Sequence, residues 1–308
     1  MNQKPEKQIM SIVGTTASGK SAIALEIAKN IPKVEIVSID SMQIYRGMNI
    51  GTAKPSAAER EMVPHHLIDI IDPNREYSLS QFQTETQKVI ADIEKRGGMP
   101  LLVGGTGLHL RAVIDNFQIP EQYPEVSREL ENESDTKKLY SLLVSVDPIA
   151  AERMEETNRR RIVRALEVTL GSGQPFSSYG PGLQSYPPTR FRMYGPRWSR
   201  EEINHRIDSR FNRQLTDGFL NEVQQLTSNG KKLSRTARQA LGYRQFLDHL
   251  EGKCTLEEAI DIAKRSIKKF ARKQDRWFRR DPRIQWFDID ENSLEVVPTL
   301  VEEWRQCV

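Results

Sequence analysis

The chain has 308 residues, 37% of them hydrophobic, a formal net charge of +3 and a mean hydropathy of −0.59. That length supports one large domain or two modest ones, and no apolar run approaches the roughly 20 residues that a membrane helix needs. Two cysteines, Cys254 and Cys307, form no CxxC or Cys/His grouping, so neither a disulfide framework nor structural zinc is expected, and a reduced cytoplasmic chain is. The opening MNQKPEKQ has no signal-peptide character. Charge is unevenly spread: residues 159–280 carry 26 Lys+Arg against 12 Asp+Glu, a local +14 that suggests a polyanionic partner.

In chain order, the apolar run Ile9–Val13 reads as a buried strand and residues 21–30 as a helix. Between them, GTTASGKS (14–21) fits the pattern G-x-x-x-x-G-K-[ST]. Gly14 and Gly19 permit backbone angles that gather amide N–H groups into a concave nest, to which the helix start adds partial positive charge. Lys20 supplies a point charge for outer phosphates, and the Ser21 hydroxyl is placed to ligate Mg2+. A phosphate or a diphosphate is expected here; the pattern leaves open which.

Val34–Ile39 predicts a second strand that ends at Asp40, and 66–71 a third, closed by Asp72-Pro73-Asn74. Ser78 is an N-cap for a helix to about Arg96, stopped by Gly97-Gly98. Residues 101–103 give another buried strand, followed by Gly104-Gly105-Thr106-Gly107 and a helix over 108–114. This alternation predicts an α/β fold, a parallel sheet with helices on both faces. Around Pro120 it stops. Residues 122–197 read as a helical insertion with a loop at 171–189, interrupting a core of 1–121 and 198–308. Long helices are expected at 199–229, 233–251 and 255–280.

Asp40 stands at the carboxyl end of a strand, where ligands of open α/β sheets bind. It suits a carboxylate that holds Mg2+ through water, or a general base toward a nucleophile brought over the phosphate site; a plain loop aspartate is the competing reading. Ser41, Met42, Gln43 and Tyr45 are better suited to a base than to a bare phosphate. Thr106 in the second glycine turn reaches the same crevice. His65 and His66 are adjacent on a strand and point to opposite faces, so no metal role is expected. The stretch KRSIKKFARKQDRWFRR (264–280) holds nine basic residues in seventeen. At helical spacing Arg265, Lys268 or Lys269, Arg272, Arg276 and Arg279 line one side, with Ile267, Phe270, Ala271, Trp277 and Phe278 near the other, a pattern suited to an RNA backbone. RRRIVR (159–164) has the same character.

These motifs, with SIDSMQIYRGMNIGTAKP, PHHLIDI, LLVGGTGLHLRAV, RRRIVRALEV and LGYRQF, stand in the order seen in bacterial tRNA dimethylallyltransferases, a family the chain resembles from residue 9 to about residue 287. The resemblance implies a P-loop NTPase-like core, an insertion that grips the anticodon stem-loop of tRNA, and basic C-terminal helices. It also implies transfer of a dimethylallyl group from dimethylallyl diphosphate to N6 of adenosine 37, just 3′ of the anticodon, with Mg2+ as cofactor and diphosphate as leaving group. Carried over to this sequence, Gly14, Thr15, Thr16, Ala17, Ser18 and Gly19 form the cradle, and Lys20 and Ser21 (through Mg2+) hold the diphosphate. Asp40 is the base, Thr106 positions the diphosphate or the amine, and Arg210 contacts the diphosphate. Asp40, Ser41, Met42 and Gln43 match a segment that touches tRNA, as do Arg160, Arg161 and Arg164. Further such segments contain Gln239, Gly242, Tyr243 and Arg244, then Arg272, Lys273, Gln274, Arg276, Trp277 and Arg279. Thr15 replaces a common proline and Ser21 a common threonine, both retaining nest and hydroxyl. No zinc-finger tail like that of eukaryotic relatives is expected, consistent with the resemblance to a bacterial-type enzyme. A monomer without a membrane partner is expected, and the target base must leave its stack. Three rivals remain. An isopentenyltransferase of free adenine nucleotides needs neither the insertion nor the basic helix. A P-loop small-molecule kinase using ATP leaves the +14 region without purpose. A non-catalytic RNA-binding protein does the same for Lys20, Ser21 and Asp40.

Overall fold

A computed structural model describes residues 7–230 and 232–305, so Cys307 lies outside the described residues. The first half of the core alternates strand and helix, as expected save for the added α2: β1 (Ile9–Val13), α1 (Lys20–Asn30), β2 (Val34–Ile39), α2 (Ala57–Met62), β3 (His65–His66), α3 (Leu79–Lys95), β4 (Met99–Gly104) and α4 (Gly107–Ile114). Every residue of β1 and β2 is buried, as strands covered by helices on both faces require. Helix α1 buries Ile23, Ala24 and Ile27, one face at helical spacing. Ser78 starts α3 through a capping box with Gln81, and Gly97 follows its end at φ 73°.

Residues 115–187 form a second compact unit: α5 (Pro124–Asn132), α6 (Thr136–Val146), α7 (Pro148–Glu152) and α8 (Arg159–Ser172). It has its own core, in which Leu130, Leu139, Leu143, Ile162 and Leu166 meet. The first unit is then completed by β5 (Phe191–Arg197), α9 (Arg200–Thr216), α10 (Phe219–Thr227), α11 (Arg235–Arg238), α12 (Tyr243–Leu250), α13 (Leu256–Phe278), β6 (Ile284–Asp288) and α14 (Val297–Arg305). The six strands make one sheet in the order β3-β2-β4-β1-β5-β6, with every pairing parallel.

Four local expectations are corrected. The third strand is only His65–His66, because Leu67 and Asp69 adopt φ of 61° and 57° and break the extended chain. Residues 191–197, expected inside the insertion, are strand β5, against which β1 pairs from Ile9↔Phe191 to Ile12↔Tyr194. Its Gly195 and Pro196 lie beyond the β1 pairing and pair with β6 alone. The helix expected over 199–229 breaks at Gly218 (φ 96°), and that over 233–251 breaks at Gly242 (φ 85°). No helix among the described residues is long and apolar enough to cross a membrane.

Candidate active site

Loops at the carboxyl ends of neighbouring strands converge where open α/β sheets bind ligands: 14–21 after β1, Asp40 after β2, and Gly105-Thr106 after β4. In the first loop Gly14, Ala17 and Gly19 take φ of 137°, 63° and 93°. A side chain on Gly19 would be strained at that angle and would press into Ser293. Two of the loop carbonyls are tied down, one by Trp198 in the segment leading into α9 and one by Arg206 of α9 itself. Trp198 Nε1 donates to Ser18 O at 2.9 Å, and Arg206 Nε donates to Ala17 O at 2.9 Å with its guanidinium 4.2 Å over the Trp198 ring.

Charge concentrates at this loop. Lys20 Nζ donates to Thr15 O, and its pKa is lowered to about 7, first by burial and then by the positive charge of Arg210, with Asp40 pulling the other way. Arg210, from α9, donates to Thr16 Oγ1 at 2.6 Å and is itself depressed by burial, again opposed by Asp40. Two desolvated basic groups beside one carboxylate give the loop an excess of positive potential, which suits a polyanion.

Asp40 keeps one oxygen for its own loop. Oδ1 accepts from Met42 N at 2.8 Å and Gln43 N at 3.2 Å, whereas Oδ2 has no hydrogen bond among the described residues. Ser41 N donates to Thr106 Oγ1 at 3.4 Å, linking the Asp40 loop to the second glycine turn. The following residues, MNIGTAK, are braced from below. Buried Glu222 of α10 accepts from the N–H groups of Asn49, Ile50 and Gly51 at 2.8, 2.7 and 3.2 Å and from Tyr243 OH at 2.5 Å. Lys54 Nζ, enclosed, pairs with Asp69 Oδ1 at 2.5 Å.

Ser21 is exposed in the first turn of α1, so its hydroxyl is accessible to a hard cation. No cluster of three or more His, Cys, Asp or Glu side chains that could hold a metal ion exists among the described residues. An ion that takes most of its ligands from diphosphate oxygens and water needs no such cluster. His66 Nε2 instead meets Glu35 Oε2 at 2.7 Å, and His65 Nδ1 meets Val63 O at 2.7 Å.

The expected tRNA segments divide by exposure. Arg160, Arg161, Gln239, Arg244, Arg272, Lys273, Arg276 and Arg279 are exposed, the last ion-paired with Asp275. Arg164 is engaged within its own unit by Glu167 at 2.6 Å and the carbonyl of Pro120 at 2.7 Å. Gly242 and Tyr243 are buried, and the Tyr243 hydroxyl is raised far above its ordinary range by burial and by Glu222. Helix α13 buries Ala259, Ala263, Ile267, Ala271, Gln274 and Phe278, which leaves Phe270, expected on the apolar side, 38% exposed. Gln274 thus points inward. Sequence reading missed the props Trp198, Arg206 and Glu222; only Glu222 had a signal, its helical spacing with Phe219 and Val223.

Comparison with known proteins gives a consistent assignment. The family model for IPP transferase matches residues 43–281, and that for isopentenyl transferase matches 7–71. A tRNA dimethylallyltransferase of Carboxydothermus hydrogenoformans is 44% identical over 94% of this chain and 95% of its own length. The crystal structure of a full-length tRNA isopentenylpyrophosphate transferase from Bacillus halodurans superposes with a TM-score of 0.71 at 35% identity, covering 98% of each chain. A eukaryotic dimethylallyltransferase captured acting on tRNA gives a TM-score of 0.75 at 27% identity, over 92% of this chain and 74% of its own.

Proposed function

The chain belongs to the IPP transferase family of tRNA dimethylallyltransferases, and from that premise we propose how its site performs the reaction. The protein is a prenyltransferase that acts on tRNA. In our reading the donor is dimethylallyl diphosphate and the acceptor is N6 of adenosine 37 beside the anticodon. The nest of residues 14–21, with Lys20 and Arg210, receives the diphosphate. As the bond between the prenyl C1 and the bridging oxygen breaks, its electron pair leaves with diphosphate, and the added negative charge falls on groups already desolvated and oriented. N6 forms the new C–N bond to C1. Asp40 Oδ2 takes the N6 proton while Oδ1 stays held by Met42 N and Gln43 N. Thr106, whose oxygen accepts from Ser41 N, has its hydroxyl proton left to donate to the diphosphate or to orient the amine.

Ser21 would hold Mg2+ together with diphosphate oxygens, and the ion when bound neutralises charge on the leaving group. The exposed cations of α13, with Arg160 and Arg161 of α8, would follow tRNA phosphates. The observation that carries the reading is geometric: two basic side chains, Lys20 and Arg210, are tied to the phosphate loop beside a carboxylate whose Oδ2 makes no hydrogen bond among the described residues. A kinase would use the same loop but leaves the exposed basic face of α13 without purpose.

The test is direct. The protein is incubated with labelled dimethylallyl diphosphate and tRNA lacking the modification, and the RNA is digested to nucleosides. One labelled N6-dimethylallyladenosine per tRNA, with one diphosphate released, is expected. Label on free adenosine monophosphate alone, or no transfer without ATP, would refute it.

A further inference from the structure

Helix α13 has two faces with different business. Arg272, Lys273 and Arg276 are exposed, while Gln274 between them is only 7% exposed and reaches both glycine loops of the donor site. Its Oε1 accepts from Thr16 N at 2.8 Å, and its Nε2 donates to Gly105 O at 2.8 Å. Gly105 is closed around this amide: a Cβ there would lie 2.6 Å from Gln274 Nε2 and 3.1 Å from Gly14 O. One turn further along, Trp277 packs against Gly107 so tightly that no side chain fits there. Thr16 is therefore held twice, its backbone N–H by α13 and its hydroxyl by Arg210 of α9. The two helices are tied to each other by Lys268 and Asp208 at 2.6 Å.

We propose that Gln274 is a positioning residue that fastens the phosphate loop and the second glycine turn to α13, so that tRNA seated on the basic face of that helix is felt at the diphosphate site. This rests on the donor and tRNA reading above. The amide is suited to the task because it presents one acceptor and one donor in a fixed fork, matching one N–H and one C=O. A shift of α13 by a few tenths of an ångström on binding RNA moves both partners together, since each is held by a short bond to one rigid group. By reciprocity, diphosphate in the nest favours the same placement of α13, so each ligand tightens the other.

The test uses the full chain and two variants. Gln274→Met keeps the volume and removes both bonds; Gln274→Glu keeps an acceptor for Thr16 N but sets oxygen against Gly105 O and adds negative charge beside the nest. Diphosphate affinity is measured with and without an anticodon stem-loop RNA, alongside affinity for that RNA. The wild type is expected to bind diphosphate more tightly in the presence of the RNA, and in Gln274→Met that enhancement falls toward one. Diphosphate affinity in the variant drops about tenfold, more than RNA affinity does, as expected for two lost hydrogen bonds. Gln274→Glu is expected to be the more damaging. Equal enhancement in wild type and Gln274→Met, or a milder Gln274→Glu, would overturn the proposal. Should the variants not fold, amide exchange at Thr16 in the wild type decides: slowing on binding the stem-loop RNA is expected, and an unchanged rate overturns it. A wild type that binds both ligands but prenylates no tRNA would refute the function while these readouts still judge Gln274.

Discussion

Binding of the donor should take up a proton at Lys20, by an amount set by pH. In the ligand-free protein burial and Arg210 lower this lysine to about 7. At pH 8 it is then roughly one-tenth protonated, at pH 7 about half, and at pH 6 about nine-tenths. A bound diphosphate places opposite charge in contact and restores the ammonium. Binding therefore takes up roughly 0.9 proton at pH 8, 0.5 at pH 7 and 0.1 at pH 6. Calorimetric titration with dimethylallyl diphosphate, in buffers of different ionisation enthalpy, counts these protons. The phosphate of the ligand titrates too, so Lys20→Arg is the reference, its guanidinium charged throughout. Equal proton counts in the two proteins at pH 8 would mean that Lys20 is already charged before the donor binds. The same burial also affects stability. Unfolded Lys20 binds its proton below 10.5 and folded Lys20 below about 7, so the destabilisation it causes is full below pH 7 and fades as pH rises to 10.5. Lys20→Met should accordingly lose donor binding yet melt roughly 2–5 °C higher at pH 7 without ligand.

Reversing Arg272 and Arg276, both exposed on α13, to Glu should raise the KM for tRNA and reduce the salt slope of its binding by about two, with donor affinity unchanged; an unaltered slope would deny this face a phosphate role. His109, with its Nδ1 buried and its ring edge-on to Phe82 at 4.8 Å, is pushed down to about 4 by burial. The unfolded chain binds that proton first, so stability should fall as pH drops from 6.5 toward 4, by up to about 3 kcal/mol. Urea denaturation of His109→Phe should lose that part of the acid sensitivity, and the same pH slope as wild type would contradict it. Glu222→Gln disturbs charge-assisted bonds to three backbone N–H groups and Tyr243, and should cost about 2–3 kcal/mol in chemical denaturation; a loss under about 0.5 kcal/mol would mean the 49–51 turn is held otherwise.

The parts of the fold legible in the sequence were those whose signals are local. Apolar runs gave β1 and β2, the Ser78 cap and Gly97 bracketed α3, and the glycine pattern placed the phosphate loop between β1 and α1. Strand β5 was hidden because its Gly195-Pro196 carries loop chemistry, and only the pairing with β1 and β6 makes it a strand. The breaks at Gly218 and Gly242 require positive φ, which a glycine permits without demanding. At the site, the glycine-loop pattern marked Lys20, the end of the second strand marked Asp40, and the second glycine turn marked Thr106. That Arg210 from α9 would reach Thr16, and Gln274 from α13 would join Thr16 to Gly105, depends on contacts 194, 258 and 169 residues apart. No pattern along the chain encodes such separations. Gln274 and Tyr243 show the reverse case: each lies in a segment that resembles a tRNA contact, yet faces the core.

In the mechanism proposed above, Asp40 acts as base above a diphosphate leaving group. Asp40→Asn retains an oxygen to accept from Met42 N and Gln43 N, so the loop stays in place, but it cannot take the N6 proton. Single-turnover transfer with both substrates saturating isolates the chemical step. The expected rate is about 10²–10⁴-fold below wild type, with affinities for tRNA and dimethylallyl diphosphate within about twofold and no recovery with excess Mg2+. Rescue by Mg2+, or collapse of diphosphate affinity at an unchanged rate, would contradict it.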